Sequence, residues 1–383
     1  MSDLSPVRRS TNMRSLFLAM LLLLAPTARG DLMKLYIGGY SGPSSEGIYC
    51  VSFDDAKGEF VGEPKLVATV KNPSFLALAP NGKTLYSVAE VGGGAVSAFA
   101  IDAVDAPLRH LNDAKSGGAG PCHLTVMPDG RTLVVANYGS GHFASLRLND
   151  DGSIGDAVSS EVGAGGGPIE SRQKGPHGHS VVPSPVAKDL FAACDLGSDE
   201  VTIFRAKADA SIEVVSRVKS PAGAGPRMST WSRDGTKLYV ADELSNTLSI
   251  YTWDGTALKL ASQVDALSPE VSREALSLAH VSVTDDGRTA YVSIRDNSKG
   301  PDWRDAIAVV DVSDASKPRV VQHVQCARVP RHIALAPGGK WLVVAGQKSG
   351  TLVAHKIDPA TGHLGPAGPS INAGIPTCVL PAQ

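Results

Sequence analysis

Short apolar runs broken by tight polar turns carry most of the pattern in this chain. One arrangement recurs: an apolar run, an Asn/Asp/Gly turn, then a second apolar run. Pro73 to Gly82 leads into Lys83 to Glu90, and Pro121 to Gly130 into Arg131 to Asn137. Pro226 to Gly235 leads into Thr236 to Glu243, Leu278 to Gly287 into Arg288 to Arg295, and Pro330 to Gly339 into Lys340 to Gln347. A degenerate copy starts at Pro176, where Pro183 to Lys188 replaces the turn and Asp189 to Asp195 follows. A last copy, from Pro376, stops at the C-terminus without its turn. The starts recur roughly every fifty residues, the spacing of propeller blades.

The turn glycine supplies the positive φ that a tight hairpin needs. Weaker strands follow in each unit, among them Ala95–Ala100, Val201–Phe204, Thr247–Thr252, Ile307–Val310 and Leu352–His355. Four strands make one blade. At the N-terminal end, Lys34 to Gly38 has no inner strand before it, and the Pro376 copy has no partners after it. Together they complete one blade and close the ring, which leaves no unpaired edge at the seam. The pattern therefore predicts an all-β fold: a seven-bladed β-propeller of four-stranded blades, forming a single domain over residues 31–383. A plain β-sandwich would not repeat one motif at this spacing.

The first thirty residues read differently. Arg8, Arg9 and Arg14 precede the apolar run Leu16 to Ala25, and Pro26 to Gly30 supplies small residues for a cut before Asp31. A run of about ten residues is too short to span a bilayer. Residues 1–30 are expected to be a secretory signal peptide. The mature protein is then expected to be exported, periplasmic or extracellular, with no stable membrane span after cleavage.

Composition narrows the function classes. Formal net charge is −2, and no Lys/Arg block exists to follow a nucleic-acid backbone, so no nucleic-acid partner is expected. The five cysteines, at 50, 122, 194, 326 and 378, show no metal spacing, and most are expected to be buried small apolar residues. The Gly-rich stretch Gly163 to Pro168 precedes no helical pattern and reads as a flexible loop rather than a phosphate cradle. Polar insertions at Pro269 to Glu274 and Asn297 to Arg304 are expected beside the pocket mouth or at the rim. No Gly-x-Ser-x-Gly elbow is present, and Cys122 has no dedicated base in the sequence.

Hairpin geometry selects the candidate site. The start of a first strand and the end of its partner lie at the same edge of the sheet. Those positions hold His123, His177, His179, Arg227, His280, Arg331 and His332 on first strands, and Glu90, Asn137, Asp195, Asp242, Glu243 and Arg295 on second strands. One face of the ring should collect them around the axis. Structural roles compete for several: His123, His280 and His332 could bond neighbouring blades, Arg331 could pair with an acid, and Asp195 and Asp242 could cap turns.

Several motifs along the chain carry a family resemblance: Tyr36 to Tyr40, Asn72 to Leu76, Pro121 to Leu124, Asn137 to Ser140, Pro176 to Ser180, Gly225 to Arg227, Asp242 to Ser245 and Val329 to His332. On these the chain resembles the seven-bladed lactonases, the group containing propeller-type 6-phosphogluconolactonase and the fungal carboxymuconate-lactonizing enzyme. The resemblance implies a small-molecule lactone substrate and a catalytic set of His177 or His179, Arg227, Glu243 and a second arginine, for which Arg295 is the choice. His123, Asn137, His280, Arg331 and His332 are the expected substrate-binding residues. No cofactor and no metal are expected. The family usually keeps His after the Pro-Arg pair, where this chain has Met228.

Lactone hydrolysis needs a base to take a proton from water and a group to hold the oxyanion. Glu243 or His179 would be the base, with Arg227 and Arg295 binding the anionic substrate and intermediate. An exported enzyme would not meet a phosphorylated sugar lactone, which is a cytoplasmic intermediate, so an unphosphorylated lactone is favoured. Two other readings stand beside this one. A divalent-metal lactonase would use Glu90, Asn137, Asp195 or Asp242 as oxygen ligands. A cell-envelope propeller could bind ligands or partners without turnover.

Overall fold

A computed structural model of the chain describes residues 1–2, 32–103, 106–299 and 304–382. The expected signal segment therefore lies almost wholly outside the described residues. Every regular element among them is a β-strand. The strands form seven antiparallel sheets, six of four strands and one that gains the two-residue strand Ile371–Asn372. We number the sheets as blades 1 to 7 in the order of their second strands. The inner strands of blades 2 to 7 are Leu76–Leu78, Pro121–Val126, Gly178–Pro183, Pro226–Trp231, Leu276–Val283 and Pro330–Leu335. Blade 1 takes its inner strand, Pro376–Pro381, from the C-terminus, paired with Met33–Gly39. Inner strands touch their neighbours all the way round. The expected seven-bladed ring, closed by its own two ends, is the fold.

Turn chemistry sets the hairpins. Gly82, Gly130, Gly235, Gly287 and Gly339 have φ values of 69, 71, 68, 68 and 67°. Each follows the Asn, Asp or Gly that opens its turn, and any other residue there would strain the backbone.

The core is not central. Seven apolar clusters each lie between two adjacent blades. Leu238 and Val240 face blade 4, while Tyr239 and Ala241, on the same strand, face blade 6. A strand buried on both faces must be apolar at successive positions, which is why the second strands read as unbroken apolar runs. The outermost strands face water on one side, and Leu258–Asp265 alternates accordingly toward its end. All five cysteines are buried and unbridged; four of them pack in these layers, and Cys122 does not.

The seam is an ordinary ladder, with Tyr36 opposite Leu380, Ile37 opposite Val379 and Gly38 opposite Cys378. Val379 is fully buried in the layer between blades 7 and 1. Deleting residues 376–383 should open that layer and expose an edge. We expect loss of a single cooperative thermal transition, read by circular dichroism, and association on size-exclusion chromatography. An unchanged melting temperature would show that the seam contributes nothing to stability.

Candidate active site

In six of the seven blades the pairing of the inner strand slips close to its axial end, by one residue in five of them. In blade 5, Pro226 pairs with Asp242 and Met228 with Ala241, which leaves Arg227 unpaired. The same slip leaves Cys122 in blade 3, His179 in blade 4, Arg331 in blade 7 and Thr377 in blade 1. A larger slip in blade 6 leaves Ala279 and His280. A β-bulge bends its strand and re-aims a side chain. Here every bulge except Ala279 sends one to the axis.

Cys122, His179, Arg227 and Arg331 line one cavity of about 510 Å³, with Glu90, Tyr138, Ile169, Arg172, Glu243, Arg295 and Asn297 among the other walls. Beneath it a neck of about 20 Å³ is lined by Ser74, Phe75, Met228, His280, His332 and Thr377, and shares Glu90, Cys122, His179, Arg227 and Arg331 with the chamber above. A wider groove of about 750 Å³ lies on the turn side, between blades 6 and 7. Its Arg288 and Arg319 are paired with Asp286 and Asp311.

Glu243 is the electrostatic centre of the cavity. Its backbone N–H donates to the Gly225 carbonyl at 2.8 Å. Its carboxylate forms ion pairs with Arg227 Nε at 2.8 Å, Arg295 Nη2 at 2.9 Å and Arg172 Nη2 at 2.6 Å. Arg227 and Arg295 are themselves fixed by donating to the carbonyls of Ala279 and Leu278. Burial would raise the Glu243 carboxyl, but Arg295, Arg227 and Arg172 outweigh it and hold the group well below the usual carboxylate range. Burial, followed by the charges of Arg295 and Arg331, pushes Arg227 down to about 9, so it stays cationic at neutral pH.

A second constellation faces the first. Arg331 Nη2 donates to Tyr40 Oη at 3.0 Å, and the Tyr40 hydroxyl donates to the Glu90 carboxylate at 2.9 and 3.0 Å. Ser74 also donates to Glu90. The expected acidic partner of Arg331 is thus reached through a tyrosine hydroxyl.

Of the paired histidines, His179 occupies the blade 4 bulge and lines the cavity, whereas His177 does not reach it. His177 stacks on the Tyr138 ring at 4.5 Å and bonds the Tyr138 carbonyl oxygen through Nδ1, bracing a residue that does line the cavity. Gly178 holds the place that Pro121, Pro226 and Pro330 hold in blades 3, 5 and 7, so the local repeat is offset by two residues from its apparent start.

Several expected ligands serve the scaffold instead. His123 and His332 each accept a backbone N–H from the next inner strand, that of Val181 at 3.4 Å and of Val379 at 3.5 Å. His123 also lies on Phe75 at 3.9 Å, and His280 on His332 at 4.1 Å. Only His280 and His332 of these reach the neck. Asn137 is fully buried, bonded to the side chain and backbone of Ser116 and outside the cavity. Asp195 accepts the N–H groups of His177, Gly197 and Ser198, and Asp242 accepts from Thr247 and Ser249. The four oxygen donors of the metal alternative therefore do not converge, since Glu90 alone lines the cavity.

Arg172 is the residue the sequence concealed. The Gly-rich stretch expected to be flexible is pinned by buried Gln173, which donates to the Leu196 carbonyl and to Asp199. That anchorage brings Arg172 and Ile169 over the cavity. The one local hint was a glutamine five residues past the Gly-rich run. Asn297, which opens the second polar insertion, lines the mouth, as do Ala275 and Ser277 just after the first; Arg304 donates to Ser272, Glu274 and Asp296, and residues 300–303 lie outside the described residues.

The cavity keeps its imidazoles neutral. Burial depresses His179 and His280 well below 6.5, reinforced by Arg227 for His179 and by His332 and then Arg227 for His280. Burial, with charged neighbours, takes His123 and His332 down to about 3. These groups bind protons more readily unfolded than folded, so stability should be fully present above about pH 6.5 and fall on acidification. The slope is up to roughly 1.4 kcal/mol per pH unit for each imidazole. Urea midpoints measured between about pH 7.5 and 5 should fall accordingly, and a flat profile would contradict buried neutral imidazoles.

Comparison with known proteins agrees with this geometry. Residues 34–381 match the family model described as lactonase, 7-bladed beta-propeller. The 6-phosphogluconolactonase of Bacillus subtilis is 32% identical over 348 residues, covering 90% of this chain and 97% of the relative. The protein of that name from Formosa agariphila is 29% identical, covering 86% and 94%. The structure of the periplasmic gluconolactonase of Pseudomonas aeruginosa superposes with a TM-score of 0.83 at 29% identity, over 92% of this chain and 99% of that one. The chain belongs to the seven-bladed β-propeller lactonase family.

Proposed function

We propose that this protein hydrolyses the ring ester of a sugar-acid lactone, and that it does so outside the cytoplasm. The observation that carries the reading is one cavity in which a neutral imidazole, His179, meets guanidinium groups held in place by a single carboxylate. In this reading His179 takes a proton from water as the water oxygen adds to the lactone carbonyl carbon. Arg227 and Arg295 hold the oxyanion as it forms. The ring C–O bond then breaks, and the departing alkoxide recovers the proton from the imidazolium.

Sequence left the base open between Glu243 and His179, and geometry favours the imidazole. Both carboxylate oxygens of Glu243 are already engaged by guanidiniums, Oε1 by Arg172 and Oε2 by Arg227 and Arg295. Glu243 instead aligns Arg227 and Arg295 and balances their charge. Arg172, partly exposed at the mouth, adds a third cation where substrate enters. Both the signal-like first thirty residues and the periplasmic gluconolactonase support export. Export in turn favours an unphosphorylated lactone, although relatives carry the name 6-phosphogluconolactonase.

A panel of plain and phosphorylated aldonolactones, assayed with and without chelator, tests this reading. We expect turnover of plain lactones that persists with chelator. His179→Asn and Arg227→Met should each lower kcat by about a hundredfold or more. Arg172→Ala should raise KM more than it lowers kcat. The kcat/KM profile should stay level from about pH 6 to 8, because His179 is already neutral there. Tight lactone binding with no turnover of any substrate would instead favour a binding propeller.

A further inference from the structure

Two carboxylates line the cavity, and they stand in opposite environments. Glu243 is saturated by three guanidiniums. Glu90, among the described residues, has no cation within ion-pair distance; its partners are the neutral hydroxyls of Tyr40 and Ser74. A carboxylate can accept about four hydrogen bonds. The single Tyr40 proton is shared between both oxygens, and Ser74 bonds only Oε2, so acceptor capacity remains on a carboxylate that lines the cavity.

The cradle around Glu90 is built and rigid. The Glu90 N–H donates to the Asn72 carbonyl at 3.0 Å, and the Asn72 side-chain amide donates back to the Glu90 carbonyl at 3.0 Å. Asn72 Oδ1 accepts the Ser41 N–H at 2.9 Å, which ties in the residue after Tyr40. Three loops from blades 1 and 2 are thereby fixed around one carboxylate, which lines both the chamber and the neck. Such placement suits recognition of a donor and leaves little freedom to the acceptor.

We propose that Glu90 is a specificity-determining residue that accepts hydrogen bonds from ring hydroxyls of the lactone. This rests on the lactonase reading above and names the substrate class: polyhydroxylated lactones are preferred over alkyl lactones of the same ring size. The ester carbonyl lies toward Arg227 and Arg295, and the hydroxyl-bearing edge lies toward Glu90. Hydrogen bonds to a charged acceptor are among the stronger ones, and a site built to meet a hydroxyl discriminates against an analogue lacking it. Arg331, bonded to Tyr40 rather than to Glu90, holds the tyrosine hydroxyl in place and leaves the carboxylate unpaired.

Non-hydrolysable lactams test this independently of turnover. Binding of glucono-δ-lactam and δ-valerolactam would be measured by calorimetry for the wild type, Glu90→Gln and Tyr40→Phe. The wild type should bind the hydroxylated lactam more tightly. In Glu90→Gln the ratio of the two dissociation constants should fall by about tenfold or more, with a smaller fall in Tyr40→Phe, where the carboxylate loses its alignment. An unchanged ratio in a folded Glu90→Gln protein overturns the proposal. Should that variant not fold, Ser74→Ala is read by the same ratio, and an unchanged ratio there and in Tyr40→Phe overturns it as well. A retained preference, lost in Glu90→Gln, in a wild type that hydrolyses no lactone would sink the hydrolase reading alone. Intact hydrolysis with an unchanged ratio would sink this one alone.

Discussion

The inner strand of a propeller blade has to satisfy two demands that a regular strand cannot meet together. It must keep its ladder with the second strand, and its side chains must fill the apolar layers on both sides. A strict two-residue alternation serves those layers and offers nothing to the axis. The extra residue near the start of the strand resolves the conflict. Arg227 leaves the ladder while Met228 and Ser229 stay in register with Ala241 and Val240. Repeated around the ring, this single irregularity turns a scaffold into a cavity, with Cys122, His179, Arg331 and Thr377 produced in the same way. Without it, a one-residue slip would carry each strand's apolar residues to the wrong face.

Charge balance then decides which side chains can share the cavity. Removing Arg227 and Arg295 from water is costly, and such ions persist only when a counter-charge pairs them. Glu243 supplies the counter-charge, and the carbonyls of Ala279 and Leu278 take further donors. A charged imidazole would add a cation to a region already dominated by them. Burial and Arg227 together keep His179 neutral, and the same setting keeps His280 and His332 neutral below it. The cluster that makes the cavity attractive to an anion is therefore also what keeps a base unprotonated within it.

The sequence displayed what is local and hid what depends on register. Turn glycines, two-sided apolar strands and the split first blade each leave a mark within a few residues, so the seven-bladed ring was legible. Polar residues at strand ends were legible as a set, but not as individuals. Asn137, Asp195 and Asp242 look like Glu243 in the pattern, yet Asn137 is consumed by bonds to Ser116, and Asp195 and Asp242 by bonds within their own turns. Pro176-His177 imitates the Pro-Arg pair of other blades, while the hydrogen-bonding register begins at Gly178 and puts His179 in the bulge. No hydrophobic pattern records a bulge. Arg172 was hidden for a different reason: its position follows from Gln173 bonding to Leu196 and Asp199, contacts with no periodic signature.

The cavity has no existence apart from the closed ring, because blades 1 to 7 each contribute to its wall or its neck. The seam between the chain ends makes this concrete. Thr377, in the C-terminal inner strand, donates to the Ser74 carbonyl at 2.9 Å, and Ser74 donates in turn to Glu90. Tyr40 follows the strand that pairs with that same C-terminal segment, and its N–H donates to the Ile375 carbonyl. The hydroxyl groups that hold Glu90 are thus placed by the final strand of the chain, while Arg331 reaches them from blade 7. Docking of that strand seals the apolar layers on either side of blade 1 and sets the Tyr40–Glu90 pair in one step. Stability and the polar half of the cavity consequently share a single structural origin, although the residues involved lie at opposite ends of the sequence.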